Sequence, residues 1–125
     1  MSLNQQDVLE IMKNRHAVAL NVLPKEEFQR LHIEGSKNVP WTLDRGAFVQ
    51  EVEKQFGKEM FLIVHGSNIT SRAGIDATEA LRRDGFKGDV FLSGMKGWVE
   101  AGLPTAGTQS RPPLSTRPQA VVRDP

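Results

Sequence analysis

The sequence predicts an α/β domain with a mainly parallel central sheet covered by helices on both faces. Three observations point there. Short apolar runs of strand character alternate along the chain with segments of helical periodicity. The most hydrophobic run, FLIV (Phe61–Val64), has no polar alternation, as expected of a strand buried on both faces. Strands separated by helices need crossover connections, and these favour parallel pairing.

The elements follow in order. Asp7–Asn14 (DVLEIMKN) has helical spacing with Val8, Ile11 and Met12 inward, and Ala17–Val22 (AVALNV) reads as a short apolar strand. Lys25–His32 (KEEFQRLH) is a short helix carrying Phe28 and Leu31, with Pro24 suited to its first turn. Asp44 is a candidate cap for a helix to about Phe56, on which Phe48, Val52 and Phe56 repeat every fourth residue. After FLIV, Ala73, Ala77, Ala80 and Leu81 mark the buried stripe of a helix closed by Gly85. Asp89–Ser93 (DVFLS) reads as another strand. MKGWVEAG then forms a last short helix, stopped by Gly102 and Pro104.

Composition narrows the function. The 125 residues fit one domain, expected over residues 1–105. From Ala106 the text AGTQSRPPLSTRPQAVVRDP holds four of the seven prolines and few large apolar side chains. Residues 106–125 therefore read as a flexible or loosely docked tail. The formal charge is +1, from 16 basic and 15 acidic residues, which argues against nucleic-acid binding by counterion release and against electrostatic membrane binding. No apolar run approaches the roughly 20 residues of a membrane helix. The first residues lack the pattern of a secretory signal, so a cytoplasmic location is the default expectation. There is no cysteine, which excludes disulfides, thiolate metal sites and a thiol nucleophile within this chain. His16, His32 and His65 show no metal-ligand spacing, and neither a metal nor a cofactor is expected.

Binding sites in such sheets lie beyond the carboxyl ends of the strands. The segment HGSNITSR, which is His65, Gly66, Ser67, Asn68, Ile69, Thr70, Ser71 and Arg72, leads from FLIV into the next helix and is the candidate site. Its residues are small or hydrogen-bonding, Arg72 adds a positive charge, and amides opening a helix favour an anion. The plainer reading is that Asn68, Thr70 and Ser71 close a turn and cap the helix. His32, in HIEG, reads as a structural histidine tied to nearby backbone. Trp98 reads as a core anchor, and Trp41 has no assignment.

Three stretches together resemble the rhodanese-like domain. LPKEEFQRLHIEGSKNVP (Leu23–Pro40) is similar to the family's early motif, a glutamate-aromatic pair before GHI-x-G-A-x-N-I-P. The strand, loop and helix from Phe61 to Phe86 follow in the same order. SGMKGWVEAGLP (Ser93–Pro104) is close to the closing motif GG-x-x-x-W-x-x-A-G-x-P. The resemblance spans about residues 17–104. It implies a rhodanese-like fold and the sulfurtransferase family, in which a cysteine directly after the central strand carries a persulfide. Counting from the strand places His65 there; counting back from the helix places Asn68 there. The aspartate usual after the first strand is Asn21, and the glycine before the HI pair is Leu31. Imidazole holds no stable persulfide and an amide is no nucleophile, so family-type sulfur transfer is not expected. The expectation is a non-catalytic binding or regulatory module with a protein partner at the loop face and a weak oxyanion site. The alternative is an enzyme or sulfur-trafficking helper using His65, or a partner's thiol, on an anionic substrate. His65 with Ser67 or Ser71 as a Ser-His pair lacks an identifiable acidic partner.

Overall fold

The structure is a computed structural model and describes residues 3–110. Along the chain the elements are α1 (Gln5–Met12), β1 (Ala17–Asn21), α2 (Lys25–Arg30), β2 (His32–Ile33), β3 (Lys37–Asn38) and α3 (Arg45–Gln55). They continue with β4 (Phe61–His65), α4 (Ala73–Arg83), β5 (Lys87–Val90), α5 (Gly94–Glu100) and β6 (Thr105–Ala106). Strands β3, β1, β4 and β5 lie in that order in one sheet and every pairing in it is parallel. A separate antiparallel pair joins β2 to β6.

Local chemistry sets the helix ends. Asn4 accepts from the Asp7 amide at 2.8 Å while Asp7 accepts from the Asn4 amide at 3.0 Å, a reciprocal cap that starts α1 two residues before the predicted Asp7. Asp44 caps α3 by accepting from the Ala47 amide at 3.0 Å. Helix α4 closes on Gly85, whose φ of +96° suits a residue without a Cβ. The Gly85 amide donates to the Arg82 carbonyl, and the Phe86 amide to that of Leu81, both at 3.0 Å.

The sheet is apolar on both sides, as FLIV predicts: Leu62, Ile63 and Val64 are all essentially inaccessible. On one face Val18, Leu20, Leu62 and Val64 pack with Phe48 and Val52 of α3 and with Ala77 and Leu81 of α4. On the other, Ile63 packs with Val8 of α1, Ile33, Phe91, and Met95 and Trp98 of α5. Trp98 is an anchor as expected: it is buried, meets Phe91 edge-to-face, and its Nε1–H donates to the Pro104 carbonyl at 2.7 Å. Trp41 also finds a place, edge-on to Phe48 with ring centroids 5.1 Å apart.

Other predicted boundaries move as well. Strand β5 runs Lys87–Val90 rather than Asp89–Ser93, because it is an edge strand whose register comes from backbone pairing of Phe61–Val64 with Lys87–Val90. Phe91, just past β5, still donates its amide to the Val64 carbonyl at 2.8 Å, and its ring fills the core. At the other end, the ordered chain runs past the boundary expected between residues 105 and 106, which falls inside β6. Amides of Thr108 and Gln109 donate to the carbonyls of Gln29 and Arg30, so main-chain bonds hold a segment with few apolar side chains. The rest of the expected tail, 111–125, lies outside the described residues. Among the described residues no helix is long and apolar enough to cross a membrane.

Candidate functional site

Strand β4 delivers its last residue, His65, into the interior rather than into the loop. Alternation along the strand places His65 on the same face as Ile63, where its ring stands edge-on to Phe91 with centroids 6.4 Å apart. The imidazole is 0% exposed. Its Nδ1 lies 3.1 Å from the Gly66 carbonyl oxygen, while Nε2 has no hydrogen-bond partner. Burial pushes its pKa down to about 4, against a smaller upward pull from the Gly66 bond, so the ring is neutral near pH 7.

The loop that follows is tied to α5. The Met95 amide donates to the Gly66 carbonyl at 3.1 Å and the Lys96 amide to that of Ser67 at 2.8 Å. This close approach requires a glycine at the start of α5. Gly94 has φ +61°, and a Cβ there would stand 2.5 Å from the Gly66 oxygen. Further along, Asn68 Oδ1 accepts from the Thr70 amide at 2.9 Å and from its hydroxyl at 2.6 Å, and the Ser71 amide donates to the Asn68 carbonyl. Asn68 therefore closes the turn. The capping half of the plain reading does not form, because the residue before α4 is Arg72 and no side chain caps the helix there. Arg72 instead reaches Asp76 at 3.3 Å on the solvent side of the helix. Such an exposed i,i+4 pair is weak and leaves the charge responsive to a ligand.

Of the predicted site residues, the structure buries His65 and Gly66, half-buries Ser67, Asn68 and Ser71, and exposes Ile69, Thr70 and Arg72. Ile69 is 69% exposed, one of three large apolar side chains exposed among the described residues, with Leu43 and Val99. It stands at a cleft of about 450 Å³ between loop and α5, lined by Asn68, Ile69, Thr70, Ser93, Lys96 and Glu100. The α5 residues escaped the sequence reading. The signal available was the Lys96–Glu100 spacing of four, which puts an opposite-charge pair, 3.9 Å apart, on one helix face. Asn21, read only as a departure from a motif, turns out to be the fully buried register partner of His65.

His32 is structural as expected, its Nδ1 2.7 Å from the Phe28 carbonyl and its ring stacked on Phe28. Among the described residues no group of three histidine or acidic side chains is placed to hold a metal.

The family model described as the Rhodanese-like domain matches residues 4–101. The chain belongs to the rhodanese-like family. Solved structures agree on the fold. A Bacillus halodurans protein superposes with a TM-score of 0.76 at 17% identity, over 87% of this chain and 78% of its own. The rhodanese-like domain of an Anabaena protein gives 0.70 at 21%, over 93% and 86%. A thiosulfate sulfurtransferase of Pseudomonas aeruginosa gives 0.67 at 22%, with 89% of this chain covering 21% of that one. No match was found among curated proteins. This rhodanese-like chain thus pairs a sulfurtransferase-family fold with a sequence that contains no cysteine.

Proposed function

We propose that this rhodanese-like domain is a non-catalytic binding module that presents the β4–α4 loop and the adjoining face of α5 to a protein partner. The observation that carries this reading is the fate of the nucleophile. The chain has no thiol, and the histidine that follows FLIV is sealed inside the sheet. A nucleophile must reach its substrate, and an imidazole with no accessible surface does not. This favours binding over the alternative in which His65 attacks an anionic substrate.

Exposed Ile69 beside a polar cleft is the composition of a small recognition surface: one apolar contact ringed by hydrogen-bonding groups and the Lys96–Glu100 pair. Arg72 and the free start of α4 support a weak oxyanion site on the same loop. A thiol-bearing partner in the cytoplasm is compatible with this surface, the domain then helping sulfur traffic without carrying sulfur itself.

The test has two arms. Thiosulfate-to-cyanide turnover should stay at background, and saturable turnover overturns the non-catalytic reading. Partner capture from the native host should be lost in Ile69→Asp with the fold intact. Capture that is indifferent to this change removes the loop from the interface. Thermal shifts with phosphate, sulfate, thiosulfate and arsenate check the oxyanion site, since ligands of the folded state raise its melting temperature.

A further inference from the structure

Strands β1 and β4 end side by side, and Asn21 and His65 are their last residues, paired in register. The sheet order β3-β1-β4-β5 makes this the place where the chain's path across the sheet reverses, since β1 is followed outward by β3 and β4 by β5. Crevices at such points are where parallel sheets hold ligands. Both side chains lie on the Ile63 face, because Leu20 and Val64, one residue earlier on each strand, face the opposite cluster. Both residues are fully buried, and each leaves one side-chain nitrogen without a protein partner: Nδ2 of Asn21 and Nε2 of His65.

Their chemistry is complementary. Asn21 Oδ1 accepts from the Leu23 amide at 2.8 Å, which fixes the orientation of the carboxamide and leaves Nδ2 as a donor. The Gly66 carbonyl near His65 Nδ1 is only an acceptor, so Nδ1 carries the proton and Nε2 is a bare lone pair. A donor and an acceptor therefore sit on neighbouring strands, which run about 4.8 Å apart. The two atoms make no direct bond. A single water can accept from one and donate to the other, through two bonds of roughly 2.9 Å meeting at an angle. Buried waters are found at polar groups that are buried and otherwise unmet.

We propose that one buried water molecule sits between Asn21 Nδ2 and His65 Nε2, and that this chain of hydrogen bonds positions the start of the β4–α4 loop. The chain continues from Nδ1–H of His65 to the Gly66 carbonyl, which also accepts from the Met95 amide. It thereby links the end of β1 to the first turn of α5 through the loop's first peptide. Asn21 and His65 are positioning residues in this arrangement, whatever the loop binds.

The test is nitrogen-15 and water-NOE spectroscopy on the full chain at neutral pH. The expected result is His65 in the Nδ1–H tautomer, with cross-peaks from its ring protons to a long-lived water. An Nε2–H tautomer, or a ring without a water contact, overturns the proposal on the native protein alone. Asn21→Leu adds a second readout: where it folds, the water cross-peaks vanish and the Gly66, Ser67 and Met95 amide resonances shift together. Water cross-peaks that persist in folded Asn21→Leu also overturn it.

Discussion

On the face of the sheet that meets α3 and α4, Val18, Leu20, Leu62 and Val64 form an all-apolar cluster with Phe48, Val52, Ala77 and Leu81. On the opposite face the same two central strands begin as apolar but end in Asn21 and His65, both buried, with His65 edge-on to Phe91. One face supplies burial and fixes register. The other carries polar groups inward at the end from which the candidate loop departs. Side chains on the first face act through volume alone, whereas those on the second also act through protons and hydrogen bonds.

That contrast gives its largest effect on the dry face. Phe48 is buried against Trp41 and the strands, with nothing polar to rehydrate when it is removed. Phe48→Ala should destabilise by about 4 kcal/mol, read as a lower urea midpoint with unchanged slope. The loss should be the same at pH 5 and pH 7. A loss below about 1 kcal/mol would mean that this face is not the main source of stability.

The polar face should respond to acid. His65 has its pKa lowered from 6.5 to about 4 in the folded protein, chiefly by burial. Because the folded state disfavours the imidazolium, the unfolded chain takes up the proton first as pH falls. Stability is therefore full above about pH 6.5 and drains away down to about pH 4, by about 3 kcal/mol in total. Urea midpoints across that window measure it. His65→Phe should flatten the curve there; an unchanged curve would show that other groups dominate the acid response.

How much of this was legible follows from what each feature depends on. Asp44 before a four-residue apolar repeat, and FLIV with no polar break, predicted α3 and β4 closely because caps and burial patterns are local. The edge strand β5 and the pair β2–β6 were misplaced or missed because backbone pairing with distant residues sets them. Residues 106–110 were assigned to a tail for the same reason: the hydrogen bonds of Thr108 and Gln109 to α2 leave no mark on composition. The candidate loop was found from the strand-to-helix transition. The inward turn of His65 was not, since one residue of register decides which face a strand side chain takes. Its pairing with Asn21, 44 positions earlier, belongs to topology.

A smaller effect is expected at Trp98, where the polar face meets α5. Trp98→Phe keeps an aromatic ring against Phe91 but deletes the Nε1–H that donates to the Pro104 carbonyl, and it leaves a small void. A loss of about 2 kcal/mol is expected. Hydrogen exchange should rise at the Glu34 amide, which shares the Pro104 carbonyl. Equal destabilisation with no change at Glu34 would assign the loss to packing alone.

The smallest effect separates the loop from both faces. Asn68 Oδ1 is half-exposed and holds only local groups, the amide and hydroxyl of Thr70. Removing it in Asn68→Ala frees those groups to bond with water, so the loss in global stability should be about 0.5 kcal/mol. The turn itself should loosen, seen as faster exchange of the Thr70 and Ser71 amides with no change at Leu62 or Val64. Such a result would mean that the loop is held to the domain by the carbonyls of Gly66 and Ser67 on α5, while residues 68–71 shape the surface offered to a partner. If instead the whole sheet loses protection, the turn is part of the fold's cooperative unit. The division between a stabilising face and a recognition loop would then fail at its most exposed point.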